Sequence, residues 1–350
     1  MRSFVFVVAL AVCVCNAQSK SELAVLKAVN YGAKFDVIIR VIDDGGVPIE
    51  GVKCEGWAYI NNHKDNGYPH SAVTDSNGVV RISGKCGRWV SVFLTKDGYY
   101  MTNDEIRFKD VEPSLLGDGR WNPYGETLTL VLKKIKQPVR LVHYAPSHAM
   151  KAEVSREWHG YDLELRDWMP PYGKGQYADM LVRLDVEAHA SSDFKATMEV
   201  SFTNNPHAGA YQLTKDRHSE MKSVYTADTN AVYKTHFQFL HERHPIIHKQ
   251  PIVYREGVSV TDTRLDKDSY LVFRTRTRVD GKGNLLSAHY GKIYGLWEIY
   301  RAMHAHEVYF NPTPNDTNLE DLETAERSRM LQRQREESSS QKKRKSLWPF

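Results

Sequence analysis

His304 and His306 stand two apart, so on a strand both imidazoles point to one face, where they can act as metal ligands. Glu307 follows directly and would add a carboxylate. Paired polar residues on a wet sheet face have the same pattern. His241, His244 and His248 share one side of a helix by spacing, but Pro245 lacks the backbone donor such a helix needs. A His-rich loop is the expectation there.

Aromatic residues gather around Pro170-Pro171: Trp158, Tyr161, Trp168, Tyr172 and Tyr177. Such rings stack on the apolar faces of sugars, or pack as core and rim. Trp158, Trp168 and Tyr172 are the candidate ligand contacts. Asp167 with Glu164 or Asp179 would supply the carboxylate pair of glycoside hydrolysis, whose separation the sequence does not set. Tyr172-Gly173-Lys174-Gly175 lacks the spacing of a phosphate-binding loop and reads as a turn. Neither G-x-S-x-G nor H-E-x-x-H occurs. No cofactor motif stands out, so no cofactor is expected.

The elements that must position these residues begin with composition. The chain has 350 residues, of which 41% are hydrophobic and 26% charged. That suits about two domains, each with a core. The net charge of +4 is small and partly in the C-terminal tail, so the concentrated basic face of a nucleic-acid binder is not visible. Residues 1–17 have the layout of an export signal: Arg2, an apolar run from Phe4 to Cys15 too short to span a bilayer, then Asn16-Ala17 before Gln18. A cleaved signal is expected, leaving no transmembrane span; an uncleaved anchor and a lipoprotein are the alternatives. Cys13 and Cys15 lack the small residue that normally precedes a lipidated cysteine.

Past the signal only Cys54 and Cys86 remain. In an exported domain, on either side of its middle hairpin, they predict one disulfide. Closing that loop would stabilise the domain by roughly 3–4 kcal/mol on the chain-entropy estimate. A metal site competes, but two thiolates without a His pair are too few for structural zinc.

From Phe35 the pattern has period two, with Phe35, Val37, Ile39 and Val41 in a β-branched run. Asp43-Asp44-Gly45-Gly46 and Asp75-Ser76-Asn77-Gly78 are turns. Trp89–Thr95 and Thr127–Lys134 are further strands, and Ser19–Asn30 a short helix with Leu23, Leu26 and Val29 on one side. The series Asp44, Gly46, Pro48, Ile49, Gly51, Val52, then Thr74, Asp75, Asn77, Gly78, then Gly98, Tyr99 resembles the carboxypeptidase regulatory-like, transthyretin-like β-sandwich modules of bacterial surface proteins. That resemblance covers about a fifth of the chain. It implies a fold and a spacer, stalk or docking role, with no chemistry; the cysteine pair is not part of it.

After Gln137-Pro138 come short apolar runs between polar turns. Met180, Val182, Leu184 and Val186 have period two, Lys195–Phe202, His236–Leu240 and Val253–Thr263 are strand candidates, and Tyr211–Thr226 has room for a short helix. Tyr270–Val279, the turn Asp280–Asn284 and Leu286–Leu296 make the best hairpin in the chain. The stretches Asp167–Gly175, Arg278–Asn284, Tyr290–Gly295 and Tyr309–Glu320 look like uncharacterised exported proteins of planctomycete and verrucomicrobial type, a resemblance that implies no site.

The expectation is therefore an all-β chain. A signal peptide (1–17) precedes a transthyretin/Ig-like β-sandwich (18–136), a larger β-sandwich or jelly-roll-like domain (137–316) and a polar tail, partly helical or disordered (317–350). The pattern favours an exported binding or structural-interaction protein of the cell envelope over an enzyme, placed in the periplasm or at the cell surface, with a glycan or an envelope protein as partner. The alternative is an enzyme or lectin-like module in the second domain. It would be metal-dependent and cupin-like, centred on His304 and His306, or carbohydrate-active and built on the aromatic and carboxylate cluster.

Overall fold

A computed structural model describes residues 22–61, 68–108, 114–144, 156–249, 254–263, 265, 268–294 and 307–347. The expected signal, 1–17, lies outside them. Among the described residues the fold is all-β apart from α-helices at 22–31 and Leu322–Leu347, with the strands in four sheets. It forms two compact units. Unit 1 comprises Met1–Ile135, His218–Glu220 and Glu326–Phe350, and unit 2 comprises Lys136–Arg217 and Met221–Ala325.

Unit 1 opens with helix α1 (22–31). Seven strands follow: β1 Ala33–Ile42, β2 Lys53–Ala58, β3 Tyr68–Val73, β4 Val79–Cys86, β5 Trp89–Thr95, β6 Thr102–Arg107 and β7 Glu126–Val131. They form a three-stranded sheet, β4-β1-β7, and a four-stranded one, β3-β2-β5-β6. The alternation read from Phe35 puts Phe35, Val37, Ile39 and Val41 of β1 into one core with Val90, Val92 and Leu94 of β5. The two Asp-led turns are closed by their own carboxylates. Asp43 Oδ1 accepts from the Gly45 and Val47 amides at 2.9 and 2.8 Å, and Asp75 Oδ1 accepts from Asn77 and Val79 at 2.9 and 2.8 Å. Gly78 has φ +70° and no room for a Cβ against the Val41 carbonyl, which accounts for the glycine there. Helix α1 buries Ala28 and Val29, while Leu23 and Leu26, which the spacing grouped with Val29, are exposed.

The expected Cys54–Cys86 disulfide is not made; both are free, buried thiols. The hairpin reading misplaced them. Cys54 lies in β2 opposite Ala72 and Leu94, whereas Cys86 lies in β4 of the other sheet, opposite Ala33. Burial pushes the Cys54 thiol up to about 12 and raises that of Cys86 as well. Both should therefore be inert toward a thiol reagent in the native protein. In a chain starting at Gln18, titration after denaturation should count two thiols, and a count of zero would mean the disulfide forms after all.

Unit 2 contains β8 Val142–Tyr144, β9 His159–Asp162, β10 Asp167–Trp168, β11 Met180–Ala190, β12 Asp193–Ser201, β13 Gly209–Thr214, β14 His236–Lys249, β15 Tyr254–Asp262, β16 Ser269–Val279, β17 Leu285–Tyr294 and β18 Glu307–Phe310. A six-stranded sheet, β10-β9-β11-β12-β14-β15, pairs with a five-stranded one, β13-β16-β17-β18-β8. The core joins their inner residues: Val182, Leu184, Met198 and Phe239 from the first sheet, and Leu271, Phe273, Ile293 and Phe310 from the second. The five-stranded sheet is covered on its other face too, where Tyr270, Val272, Tyr290, Tyr294 and Tyr309 pack with Leu141, Ala227 and Leu319. Lys292, buried there, donates to Ser223 Oγ at 2.9 Å and to the Leu319 carbonyl at 2.8 Å. This double covering explains why β16 is buried along most of its length, with the continuous apolar run Tyr270–Phe273 at its start. On the six-stranded sheet, by contrast, no described residue packs over the outer face of β11, β12 and β14, where a groove lies.

Two local expectations change. The polar stretch after Tyr211 holds β13 rather than a helix. The His-rich segment is a strand, with Pro245 opposite Val258. The pairing of β12 with β14 ends at Arg243, so beyond it only β15 flanks β14 and one side is free to tolerate the missing donor. The tail is helical: α2, Leu322–Leu347, is capped by Asp321, whose Oδ2 accepts the Thr324 amide at 2.8 Å. Within unit 1, Ser328 Oγ accepts the Met101 amide at 2.7 Å, Gln332 donates to the Tyr99 carbonyl at 2.7 Å, and Arg335 lies over the Phe93 ring.

Candidate functional site

Strict alternation builds the open face. On β11 the residues between Met180, Val182, Leu184 and Val186 are Leu181, Arg183 and Asp185; on β12 those between Phe194, Ala196, Met198 and Val200 are Lys195, Thr197 and Glu199. Antiparallel register sets Arg183 opposite Glu199 and Glu199 opposite Gln238 of β14. His159 pairs with Val182, so Trp158, one residue earlier, comes abreast of Arg183. Trp158, Arg183, Glu199 and Gln238 thus form one row across four strands.

The row crosses a concavity of about 430 Å³ lined by Arg156, Arg183, Asp185, Glu187, Lys195, Thr197, Glu199 and Gln238. Arg183 pairs with Glu199 through Nε and Nη2, and its guanidinium lies 5.0 Å from the centre of the Trp158 ring. Arg156 reaches Asp185 at 3.1 Å and Glu187 at 3.7 Å. His236 approaches Glu199 at 3.8 Å and meets the Trp158 ring edge-on at 6.2 Å. Trp158 is 40% exposed, so an indole held on two sides offers its remaining surface to solvent. Asp185 and Glu199 each accept from an arginine, and Glu187 forms a looser ion pair with Arg156 at 3.7 Å.

The other sequence candidates do not join Trp158. Trp168 is 7% exposed and sits in the core, 5.0 Å from the Tyr161 ring; burial removes it from any ligand platform. Tyr172 is 51% exposed but packs against the His159 ring at 4.6 Å, and His159 points to the opposite side of the sheet from its neighbour Trp158. His304 and His306 lie outside the described residues. Among those residues, no group of three or more His, Cys, Asp or Glu is placed to hold a metal ion. No helix among them is long and apolar enough to cross a membrane.

The suspected hydrolytic carboxylates are occupied elsewhere. Arg276 donates to Asp179 Oδ1 at 2.9 Å and Oδ2 at 3.1 Å, to Asp162 Oδ1 at 3.0 Å, and to Glu164. Asp162 also accepts the amides of Glu164, Leu165, Gln176 and Tyr177 at 2.9–3.0 Å. Burial raises the Asp179 carboxyl, with the Arg276 bonds opposing it. Asp167 closes the Gly173-Lys174-Gly175 turn by accepting the Trp168 and Lys174 amides. A Cβ on Gly173 would overlap that carboxylate, so these glycines serve the turn.

On the same outer face His244 is held between Glu242 at 2.6 Å and Asp193 at 3.1 Å. The Glu242 bond first, then that to Asp193, raises the imidazole above its ordinary value. The charged form thus favours the folded state below the ordinary value, and that contribution fades as pH rises through the raised one. An NMR titration should place His244 above 6.5. Glu242→Gln or Asp193→Asn should lower its midpoint, and an unchanged midpoint in both would refute the clamp.

Arg183, Glu199 and Gln238 have a signal in the sequence, the polar alternate positions of β11, β12 and β14; Arg156, ahead of β9, has none. Such positions also describe any solvated strand face, and only the register gathers them under Trp158.

No family model and no curated protein matches the chain. Among solved structures it is similar to 3-chlorocatechol 1,2-dioxygenase from Rhodococcus opacus 1CP, with 13% identity over 30% of this chain and 61% of that one and a TM-score of 0.25. For catechol 1,2-dioxygenase from Acinetobacter radioresistens the figures are 16%, 31%, 54% and 0.23. For a streptococcal ancillary pilin they are 12%, 66%, 60% and 0.20. The chain spans less than two thirds of each of these three chains, and likeness at such TM-scores carries no argument about activity.

Proposed function

We propose that the protein is an exported binding protein of the cell envelope that does no chemistry on its ligand, and that the outer face of β11, β12 and β14 is its binding surface. The observation that carries the proposal is the row Trp158, Arg183, Glu199 and Gln238 along a concave sheet face, in a unit whose other broad sheet faces are packed. Export is supported by the layout of residues 1–17, and an envelope role by the turn-rich β architecture with its resemblance to surface-protein modules.

The test uses the chain starting at Gln18. It should be retained by cell-envelope preparations, lose that retention in an Arg183→Ala/Glu199→Ala variant of unchanged melting temperature, and leave chromogenic glycosides and esters intact. Robust turnover of any of them, or retention indifferent to the double substitution, would overturn the proposal.

A further inference from the structure

We infer that the groove takes a neutral oligosaccharide, bound along its chain rather than by its end; this rests on the binding face proposed above. Three observations select that class. First, the groove carries three cationic side chains, Arg156, Arg183 and Lys195, and three carboxylates, Asp185, Glu187 and Glu199. An anionic ligand would meet the carboxylates and a cationic one the arginines, whereas a neutral ligand rich in hydroxyls, each both donor and acceptor, can satisfy both signs. Second, the volume is that of a small-molecule site, but the lining is polar, where apolar ligands require mostly hydrophobic walls. Trp158 stands beside the lining, against Arg183, and one flat ring at the margin of a polar groove suits the C–H face of a pyranose.

The third observation is shape. From Lys195 to Glu199 along β12 and from β9 to β14 across the sheet, the face measures roughly 14 by 14 Å at ordinary strand spacings. It is a shallow surface crossed by strands rather than a closed pit, so it has room for about two or three sugar rings. Arg183 is the organising residue. Its fork to Glu199 presents a paired donor and acceptor beside the indole, and its contact with Trp158 holds the ring before a ligand arrives.

The experiment is calorimetric titration of the chain from Gln18 with cellohexaose, xylohexaose and mannohexaose as neutral probes, a galacturonate hexamer as anionic probe and a chitosan hexamer as cationic probe. Saturable binding of a neutral probe is expected, weakened about tenfold or more by Trp158→Ala and clearly by Gln238→Ala. Both side chains reach solvent, so both variants should fold, and an unchanged melting temperature checks this. If only a charged probe binds, and Trp158→Ala removes it, the neutral class is wrong while the face stands. If a neutral probe binds equally to wild type and both variants, the face itself is wrong. Silence across the whole probe set overturns the inference.

Discussion

Replacing Arg276 with methionine is expected to destabilise unit 2 by about 3–5 kcal/mol, the usual cost of leaving buried charges without their partner. Asp162 and Asp179 are 1% and 0% exposed, so neither can turn to water when the guanidinium is removed. Arg276 is also held at φ +48°, within an irregular stretch of β16 where the register to β17 shifts. A side chain without the three acidic partners has little to hold that backbone in place. The rings of Phe310 and Tyr177 flank the guanidinium at 4.7 and 5.0 Å and add to the loss.

The pH dependence of this variant has a definite sign. Asp179 is already raised in the native protein, by burial first. Without Arg276, the strongest influence holding it down is gone, so it should rise further. A carboxyl whose folded value exceeds its unfolded one takes up a proton on folding, which favours the native state at acid pH and is lost as pH rises through the folded value. The deficit of Arg276→Met relative to wild type should therefore shrink on acidification. Adding Asp179→Asn should recover part of it at neutral pH. Denaturant melts of the three proteins at neutral and mildly acidic pH decide the matter. A deficit below about 1 kcal/mol, the range of exposed pairs, would show that the network is merely superficial.

Gly291→Ala is expected to cost about 3 kcal/mol or more, at the upper end of overpacking. Gly291 of β17 lies between Phe273 of β16 and Phe310 of β18, and an added Cβ would overlap the Phe273 ring and the Tyr309 carbonyl. The backbone neighbour cannot yield without parting the sheet. Phe273→Leu alone leaves a cavity, yet combined with Gly291→Ala the two should cost less than their sum, because they share one space. A strictly additive double mutant in thermal melts would show that the clash is relieved elsewhere. Glycan binding well below the melting temperature should survive, since the groove lies on the other sheet.

Period-two patterning was enough to read the all-β class, the β1 run and the β16–β17 hairpin, because alternation and Gly/Asn turns are local signals. The errors came from non-local pairing. Cys54 and Cys86 enter one core from two different sheets, and whether their sulfurs meet depends on how the sheets stack, which no local pattern reports. Pro245 excludes a helix, but whether a strand tolerates it depends on where β12 ends. Trp158, Trp168 and Tyr172 are close in sequence, yet alternation and burial send them to separate surroundings. Glu164, Asp179 and Arg276 are read singly as charged residues, and their union through 112 positions of chain separation is set by the fold.

Mapping amide shifts on titration with the tightest neutral hexasaccharide would test the binding face at residue level. The shifted resonances are expected to centre on Arg183, Thr197, Glu199 and Gln238, together with the indole N–H of Trp158. Shifts centred on Tyr172 and the Pro170-Pro171 turn, or confined to unit 1, would contradict it.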